Sequence, residues 1–411
     1  MKKKIEKIIV IILAAVLLLE GCAPEGKNTG EQDSAAAGQA AADGAKEKKA
    51  EKDEGKQAAK NAAAPEIGGL TYESTMELTY AECFDVYYYE GGYALIDVHD
   101  SARYLVSPEG KETPDSIDES IIVLQQPFNK IYLAATSAMA LFDAMDALDS
   151  IRLSGTQASG WYIDNAVAAM EAGEILFAGK YSEPDYELML NEECDLAIES
   201  TMILHTPKVQ EMIEMLDIPV LIDRSSYESH PLGRTEWVKL YSVLVDKEEE
   251  AAAFFDEQAK VISDLKDFQN TEKTVVYFYI STDGLAVVRS AEDYIPEMIE
   301  IAGGRYAFSD LADESGKASV PLTMETFYDT AVDADYLIYN ASIDQPIGSI
   351  DELTAKSELF ADFKAVKEGN VWSTGKSLYQ ATDIVGQLIR DLNLMLTEGD
   401  AEDMTFLHKV E

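Results

Sequence analysis

The sequence predicts an α/β protein of two lobes joined by one long helix, with a ligand cleft between the lobes. Short apolar strands alternate with amphipathic helices on both sides of the middle of the chain, a pattern typical of largely parallel sheets covered by helices. Between these two halves, apolar side chains recur at helical spacing over residues 247–268. With 411 residues, the chain is long enough for two domains of ordinary size.

The joining helix is predicted to begin at a capping box formed by Asp246 and Glu249, which are three residues apart. A single helix of this length should be rigid. The chain then divides into an N-terminal α/β lobe at 67–245, a connecting helix at 246–268 and a C-terminal α/β lobe at 269–411.

Residues 1–21 have the pattern of an export signal, with four lysines followed by an apolar run at 8–19 that is short for a membrane span. The sequence Leu-Glu-Gly-Cys at 19–22 resembles the lipobox of bacterial lipoproteins. Glu20 departs from that pattern, in which a small or apolar residue is usual. The prediction is a diacylglyceryl-modified Cys22, with an uncleaved anchor as the alternative.

Residues 22–66 are rich in Ala, Gly, Lys, Glu and Gln and contain too few apolar side chains to form a core. They are predicted to be a disordered tether between the lipidated Cys22 and the folded body. The expected location is therefore the extracytoplasmic face of the cell membrane, with the protein held there by its lipid.

The charge of the chain limits its partners. Lys and Arg number 33 against 76 Asp and Glu, which gives a formal net charge of −43. A nucleic-acid partner is excluded on this ground. An anionic membrane surface would also repel the body, so attachment has to come from the N-terminus.

The elements follow in order. The first half opens with a meander over 79–106, whose turn lies at His99–Ser101. Strands are then predicted at 121–124, 131–135, 151–154, 175–178, 196–199 and 220–223, and helices at 137–148, 164–172, 185–191 and 208–216. In the second half, strands are predicted at 274–280, 285–288, 336–339 and 371–374, helices at 294–302, 324–331, 357–366 and 383–396, and a loosely ordered tail at 398–411.

Ligands of open α/β sheets collect at the carboxyl ends of the strands. The loops at these ends carry aromatic and basic side chains, which suit a flat or chelated, partly anionic organic cargo. The candidate ligand contacts are Trp161, Tyr181, Tyr227, His230, Arg234, Arg289 and Tyr379. Arg224 and Arg289, from opposite lobes, are predicted to hold an anion bidentately, with exposed ion pairs as the alternative. For His230 the alternative is a hydrogen bond that orders its own loop.

The sequence Ser-His-Pro-Leu-Gly-Arg-Thr-Glu-Trp at 229–237, followed by the long helix, resembles the middle of substrate-binding lipoproteins of ABC importers for iron–siderophore, haem and vitamin B12-type cargo. The resemblance extends roughly over 66–396. It implies two Rossmann-like lobes of the class III periplasmic-binding-protein type, joined by one rigid helix. It also implies delivery to a permease and its ATPase, with acidic docking residues on each lobe, here assigned to Glu199 and Glu325. A monomer is expected.

Patterns of enzymes are absent from the sequence: it contains no GxSxG, no HExxH and no phosphate-binding loop. Its three cysteines lack zinc-ligand spacing, so no metal ligand and no cofactor are assigned. The predicted function is non-catalytic binding of an Fe(III) chelate. The alternatives are haem or vitamin B12 as cargo, and, from other classes, an extracytoplasmic hydrolase or a surface lipoprotein without a transport role.

Overall fold

The computed structural model describes residues 64–265, 268–311, 318–399 and 404–411. The predicted signal, Cys22 and nearly all of the predicted tether lie outside these residues. Within them, no helix combines the length and the apolar character needed to cross a bilayer. The described chain forms three β-sheets with helices packed around them.

The first sheet is a meander of five strands that lie in sequence order. Its strands are β1 Tyr72–Thr75, β2 Phe84–Tyr89, β3 Tyr93–Val98, β4 Arg103–Ser107 and β5 Ile121–Gln125. β1 to β4 pair antiparallel, and β5 runs parallel to β4. The predicted meander is confirmed for β2 to β4. β1 escaped prediction because all four of its residues are exposed and leave no apolar stripe in the sequence.

The second sheet is parallel throughout, as predicted, with the order β10-β9-β6-β7-β8. Its strands are β6 Ile131–Leu133, β7 Ile151–Ser154, β8 Leu176–Phe177, β9 Leu196–Ser200 and β10 Val220–Asp223. The helices between them are α1 Thr136–Ala144, α2 Asp164–Ala172, α3 Tyr186–Asn191 and α4 Pro207–Glu214. α1 is shorter than predicted, because the chain changes to a 3-10 turn at Leu148–Ser150.

Two consecutive helices, α5 Pro231–Val245 and α6 Glu248–Ser263, follow this sheet. Asp246 ends α5 with a left-handed backbone, φ 55°. The predicted capping box is wrong, because no side chain caps α6 and the Asp246 carboxylate instead accepts a hydrogen bond from Gln126 Nε2 at 2.9 Å. α6 is the connecting helix; its 16 residues make it about 24 Å long, and it ends before residue 268.

The third sheet is mixed, with the order β14-β12-β11-β15-β16-β17 and β13 paired to β11. Its strands are β11 Thr274–Ile280, β12 Ala286–Arg289, β13 Arg305–Tyr306, β14 Ser319–Leu322, β15 Tyr336–Tyr339, β16 Val371–Thr374 and β17 Leu407–Lys409. Its helices are α7 Tyr294–Ile301, α8 Met324–Ala331, α9 Ile350–Lys356, α10 Lys364–Glu368 and α11 Val385–Thr397. The single helix predicted at 357–366 is instead a 3-10 turn, Glu358–Asp362, followed by α10.

The last residues of the chain belong to this sheet. β17 pairs antiparallel with β16. The buried carboxylate of Asp391 in α11 accepts hydrogen bonds from the backbone N–H groups of Thr405 and Phe406 at 2.8 and 2.6 Å. The prediction of a loosely ordered tail is therefore wrong for residues 404–411.

α5 lies at the centre of the molecule. It packs against α1 and α6 on one side and against α7 and α11 of the third sheet on the other. Almost all of its side chains are buried, including Trp237 and Tyr241. A helix that is buried on all sides is apolar except where a polar side chain has a specific partner. The buried charged residues of α5 therefore identify specific contacts between this helix and the two lobes.

Candidate ligand-binding site

Two buried carboxylates fasten the segment 79–83 to α5. Glu236, which has no exposed surface, accepts hydrogen bonds from the N–H groups of Thr79, Tyr80 and Ala81 at 2.8–3.1 Å and from Lys239 Nζ at 2.8 Å. These bonds replace the strand pairing that the sequence predicted from residue 79 onwards. The role of Glu236 was missed, although a carboxylate on an otherwise apolar helix signals a buried partner.

Glu228 extends this clamp by two further residues. Its carboxylate accepts hydrogen bonds from the N–H groups of Glu82 and Cys83 at 2.7 and 3.0 Å and from Trp237 Nε1 at 2.9 Å. Burial raises the pKa of Glu228, and these three donors partly offset the effect. A Cβ at Gly233 would come within 3.1 Å of Glu228 Oε2 and of the Tyr80 carbonyl oxygen, so glycine allows the segment to lie this close to the helix.

His230 caps α5. Its Nδ1 accepts a hydrogen bond from the Leu232 N–H at 3.1 Å, and its ring stacks on Tyr80 with centroids 4.3 Å apart. Burial lowers the pKa of His230, which favours the neutral ring that this capping bond requires. The structural alternative described for His230 accounts for both contacts.

Trp161 lies in the core of the first lobe. It is 4% exposed, and its Nε1 donates to Ser154 Oγ and to the Thr156 carbonyl, each at 3.2 Å. The neighbouring Tyr162 is instead 44% exposed. Trp161 is therefore buried in the core of the first lobe and its indole N–H is already bonded there, which leaves little of its surface for a cargo.

The second lobe reaches the first through the loop after β16. Gln380 Nε2 donates to the Gly160 carbonyl, and Gln380 Oε1 accepts from the Tyr162 N–H, both at 2.8 Å. Thr235 Oγ1 in α5 donates to the Thr382 carbonyl at 2.8 Å. These three hydrogen bonds join the lobes directly.

Asp383 follows in the same loop. Burial, together with the like charge of Asp143 in the first lobe, raises the pKa of Asp383 to about 6. Asp383 therefore acquires its charge close to neutral pH, at a point where the two lobes meet.

Arg234 occupies the joint between the lobes. It is 9% exposed, and its guanidinium carbon lies 4.3 Å from the centroid of the Tyr294 ring in α7. Arg234 Nε has no hydrogen-bond partner. The crevice beside it is bordered by Tyr379, which is half-buried and accepts a hydrogen bond from Gln380 Nε2 at 3.2 Å.

Arg289 does not offer a free guanidinium. It lies 3.7 Å from the buried carboxylate of Asp293 and donates to Ser319 Oγ at 3.3 Å. Its charge is thus compensated within the second lobe, and its pairing with Arg224 around one anion stays a prediction.

Arg224 and Tyr227 lie at the carboxyl end of β10. The guanidinium carbon of Arg224 is 4.4 Å from the Tyr227 ring centroid, and its Nε has no partner. Its one ion pair is a contact of 3.9 Å to Asp100, whose side chain is 90% exposed. Tyr181, after β8, is half-buried at the same edge of the sheet.

The two residues assigned to permease docking have opposite positions. Glu325, in the first turn of α8, is exposed. Glu199, on β9, has no exposed surface, and neither of its oxygens has a partner. Burial raises the pKa of Glu199 well above its usual range. A side chain in this position has no access to a surface contact, so its assignment to docking is wrong.

Among the described residues, no group of three or more His, Cys, Asp or Glu side chains is placed to hold a metal ion. The polar groups near the joint are instead guanidinium groups, tyrosine hydroxyls and backbone amides. Guanidinium groups and backbone amides are hydrogen-bond donors to anions.

The model of a protein family described as "Periplasmic binding protein" matches residues 131–378 of this chain. An uncharacterized lipoprotein of Methanocaldococcus jannaschii is 25% identical over 280 residues, which are 65% of this chain and 64% of that relative. This chain thus spans less than two thirds of the relative's length.

Solved structures share the fold. A possible iron-binding (periplasmic solute-binding) protein from Staphylococcus epidermidis aligns with a TM-score of 0.52 at 15% identity, over 65% of this chain and 98% of its own. The periplasmic heme-binding protein HutB of Vibrio cholerae aligns with a TM-score of 0.53 at 16% identity, over 65% of this chain and 99% of its own. The molybdate periplasmic binding protein MolA of Haemophilus influenzae aligns with a TM-score of 0.52 at 13% identity, over 66% of this chain and 86% of its own. Since the family match covers more than half of its 411 residues, the chain belongs to the periplasmic binding protein family.

Proposed function

We propose that this chain is the solute-binding component of an ABC importer, which captures an anionic Fe(III) chelate outside the cytoplasm and delivers it to a permease and its ATPase. It does no chemistry on its cargo. Membership of the periplasmic binding protein family supports the binding role. The observation that carries the cargo class is the pair Arg224–Tyr227 at the carboxyl end of β10.

This pair presents a weakly compensated cation against an aromatic face. Arg224 Nη1 donates to the Asp100 carbonyl at 3.3 Å, while the Asp100 carboxylate lies 3.9 Å away and is almost fully exposed to water. A pair so exposed on one side contributes little, and Nε remains without an acceptor. An anionic, partly planar cargo would satisfy the guanidinium and use the ring of Tyr227.

Further aromatic side chains follow the carboxyl ends of other strands of the second sheet. Tyr162 follows β7 and is 44% exposed, and Tyr181 follows β8. In a chain of net charge −43, an anionic cargo needs local cations to bind at all. Ferric complexes of catecholates and carboxylates carry that negative charge, and two of the solved relatives are named for iron and heme.

The test is a titration monitored by tryptophan fluorescence with ferric catecholates, carboxylates and hydroxamates, haem and cobalamin. Arg224→Gln should weaken anionic chelates by about tenfold to a hundredfold, the equivalent of about 1.5–3 kcal/mol for a charge-assisted contact. Hydroxamate complexes, often neutral or cationic, should be least affected. The matched control is Arg103→Gln, because Arg103 is 51% exposed and already paired with Asp97 at 2.8 Å.

Three outcomes contradict the cargo assignment: no ferric complex binds at micromolar concentration, cobalamin alone binds, or Arg103→Gln weakens binding as much as Arg224→Gln. Recovery of the bound chelate in altered chemical form would contradict the absence of catalysis.

The proposal includes anchoring through Cys22. Cys22→Ala should release the protein to the medium or leave an unprocessed precursor. Lipid labelling of the variant would show that the lipid is attached elsewhere.

A further inference from the structure

The joint between the lobes contains a cation without a counter-ion. Arg234 is 9% exposed, has no carboxylate partner among the described residues, and has an unsatisfied Nε. Burial of a charge without a partner costs several kcal/mol, so buried guanidinium groups are almost always paired. The Tyr294 ring at 4.3 Å covers one face of the guanidinium but offers no acceptor in its plane.

The other charges of the joint do not supply the missing partner. Asp293 is committed to Arg289, 3.7 Å away, and its Oδ1 also accepts from the Ile295 N–H at 3.0 Å. Asp383 is next to Asp143 of the first lobe. Arg289 and Asp293 compensate each other, so Arg234 is left without a counter-ion among the described side chains.

The space beside Arg234 is small and mostly apolar. It offers about 10 Å³ to the centre of a water molecule, which is room for about one water-sized occupant. Its walls include Tyr294, Met298, Leu378, Tyr379, Thr382 and Val385. A siderophore or a haem does not fit a space of this size, so its occupant has to be a small ion or water.

We propose that this crevice binds one small monovalent anion, of the size of chloride, which pairs with Arg234 and fastens the two lobes together. The anion would lie between α5 of the first lobe and the loop after β16 of the second. Thr235, next to Arg234, already donates to the carbonyl of Thr382 in the crevice wall. Because both walls contribute to the site, the anion stabilises the joined arrangement of the lobes.

This site goes beyond the cargo assignment and does not depend on it, since it requires no chelate. Purified full-length protein, free of cargo, is titrated with sodium chloride at constant ionic strength, with sodium gluconate as the balancing salt. The thermal midpoint should rise saturably by about 3–6 °C at a hundredfold excess over Kd. Gluconate, which is too large for the crevice, should give no such rise.

Arg234→Met should abolish the saturable rise, and Arg234→Lys, which keeps the charge, should retain a weaker one. The readout is the dependence on the anion, so a variant of lower absolute stability remains informative. Arg305→Met is the control, because Arg305 is 63% exposed and paired with Glu272 at 2.8 Å; it should respond like the wild type.

The proposal is overturned if chloride produces no saturable shift, or if Arg234→Met shifts as the wild type does. It is also overturned if only citrate, tested as a representative chelator, shifts the midpoint. Arg234 would then be a contact for the acidic part of a cargo.

Discussion

Glu236 offers a direct test of how the first lobe is assembled. Its carboxylate, with no exposed surface, accepts from three backbone N–H groups and from Lys239 Nζ. Glu236→Gln keeps the size of the side chain but removes the charge and replaces one acceptor by a donor. Three amides and an ammonium group then compete for one oxygen.

The expected loss of unfolding free energy is about 3–5 kcal/mol, the usual cost of removing one partner from a buried charged pair. Domain stabilities are about 5–15 kcal/mol, so the change is a large fraction of the total. Lys239 has a second acceptor in the Glu77 carbonyl at 3.1 Å and lies over the ring of Phe255. Because these contacts still stabilise the ammonium group in Glu236→Gln, the loss of unfolding free energy should lie toward the lower end of this range.

Urea unfolding should be followed by tryptophan fluorescence in a Trp372→Phe background. The chain has three tryptophans, and Trp161 and Trp237, which remain, both belong to the core of the first lobe. Glu250→Gln, on the exposed side of α6, should leave the midpoint unchanged. A loss below about 1 kcal/mol for Glu236→Gln would refute the reasoning. So would unchanged hydrogen exchange at the amides of residues 79–81.

Three further outcomes are expected. Because burial raises the pKa of Glu199, the free energy of unfolding of the wild type should fall as pH rises above the usual glutamate range, by up to about 1.4 kcal/mol per pH unit. The urea midpoint of Glu199→Gln should lack this decline. Parallel curves of urea midpoint against pH for the two proteins would contradict the prediction. His99 donates to Asp85 at 2.9 Å, which raises its pKa, so this ion pair stabilises the fold below the ordinary histidine pKa and the effect disappears as pH rises through the raised value. Because both side chains are 40% exposed, His99→Asn should cost less than about 1 kcal/mol at pH 6 and nothing at pH 9, and a loss that persists at pH 9 would rule out this ion pair as its source. Deletion of residues 405–411 removes β17 and three N–H donors of Asp391, and limited proteolysis should then cut the second lobe far faster than the first. Equal cutting of both lobes would show that β17 is dispensable.

The buried strands of the second and third sheets could be predicted from the sequence because their apolar runs are short and bounded by turns. Ile151–Ser154, Val220–Asp223, Thr274–Ile280, Tyr336–Tyr339 and Val371–Thr374 all match the prediction. Burial on both faces leaves an unambiguous pattern in a parallel strand. The family resemblance rested on this order of elements, and the family is confirmed.

The connecting helix shows where local reasoning fails. Asp246 and Glu249 have the spacing of a capping box, yet the Asp246 side chain is bound by Gln126, which is 120 positions away in the chain. A contact between residues so far apart is not encoded in the local pattern. β17 was missed for the same reason, because its partner strand lies far upstream.

The partners of the candidate-site side chains were harder to predict than the fold. Trp161 and Arg289 were assigned to a cargo because their loops follow strands, but their partners Ser154 and Asp293 lie close in sequence. Arg289 ends β12 and Asp293 caps α7, so the chain turn between them, which the sequence does not show, brings the two charges together. Position in a loop indicates where a ligand can bind, whereas pairing determines which side chains remain free for it.

The three hydrogen bonds that Gln380 and Thr235 make between the lobes oppose separation of the lobes at this point. Separating the lobes here exchanges them for bonds to water, at a net cost of about 1.5–4.5 kcal/mol. If these bonds alone opposed the separation, about one molecule in ten to one in a thousand would be open at a given moment. A cargo that enters through the open form binds with an apparent affinity reduced by the same factor. Two of the three bonds involve the Gln380 side chain, so a single substitution at this position would raise the open fraction and tighten apparent binding without any new contact to the cargo.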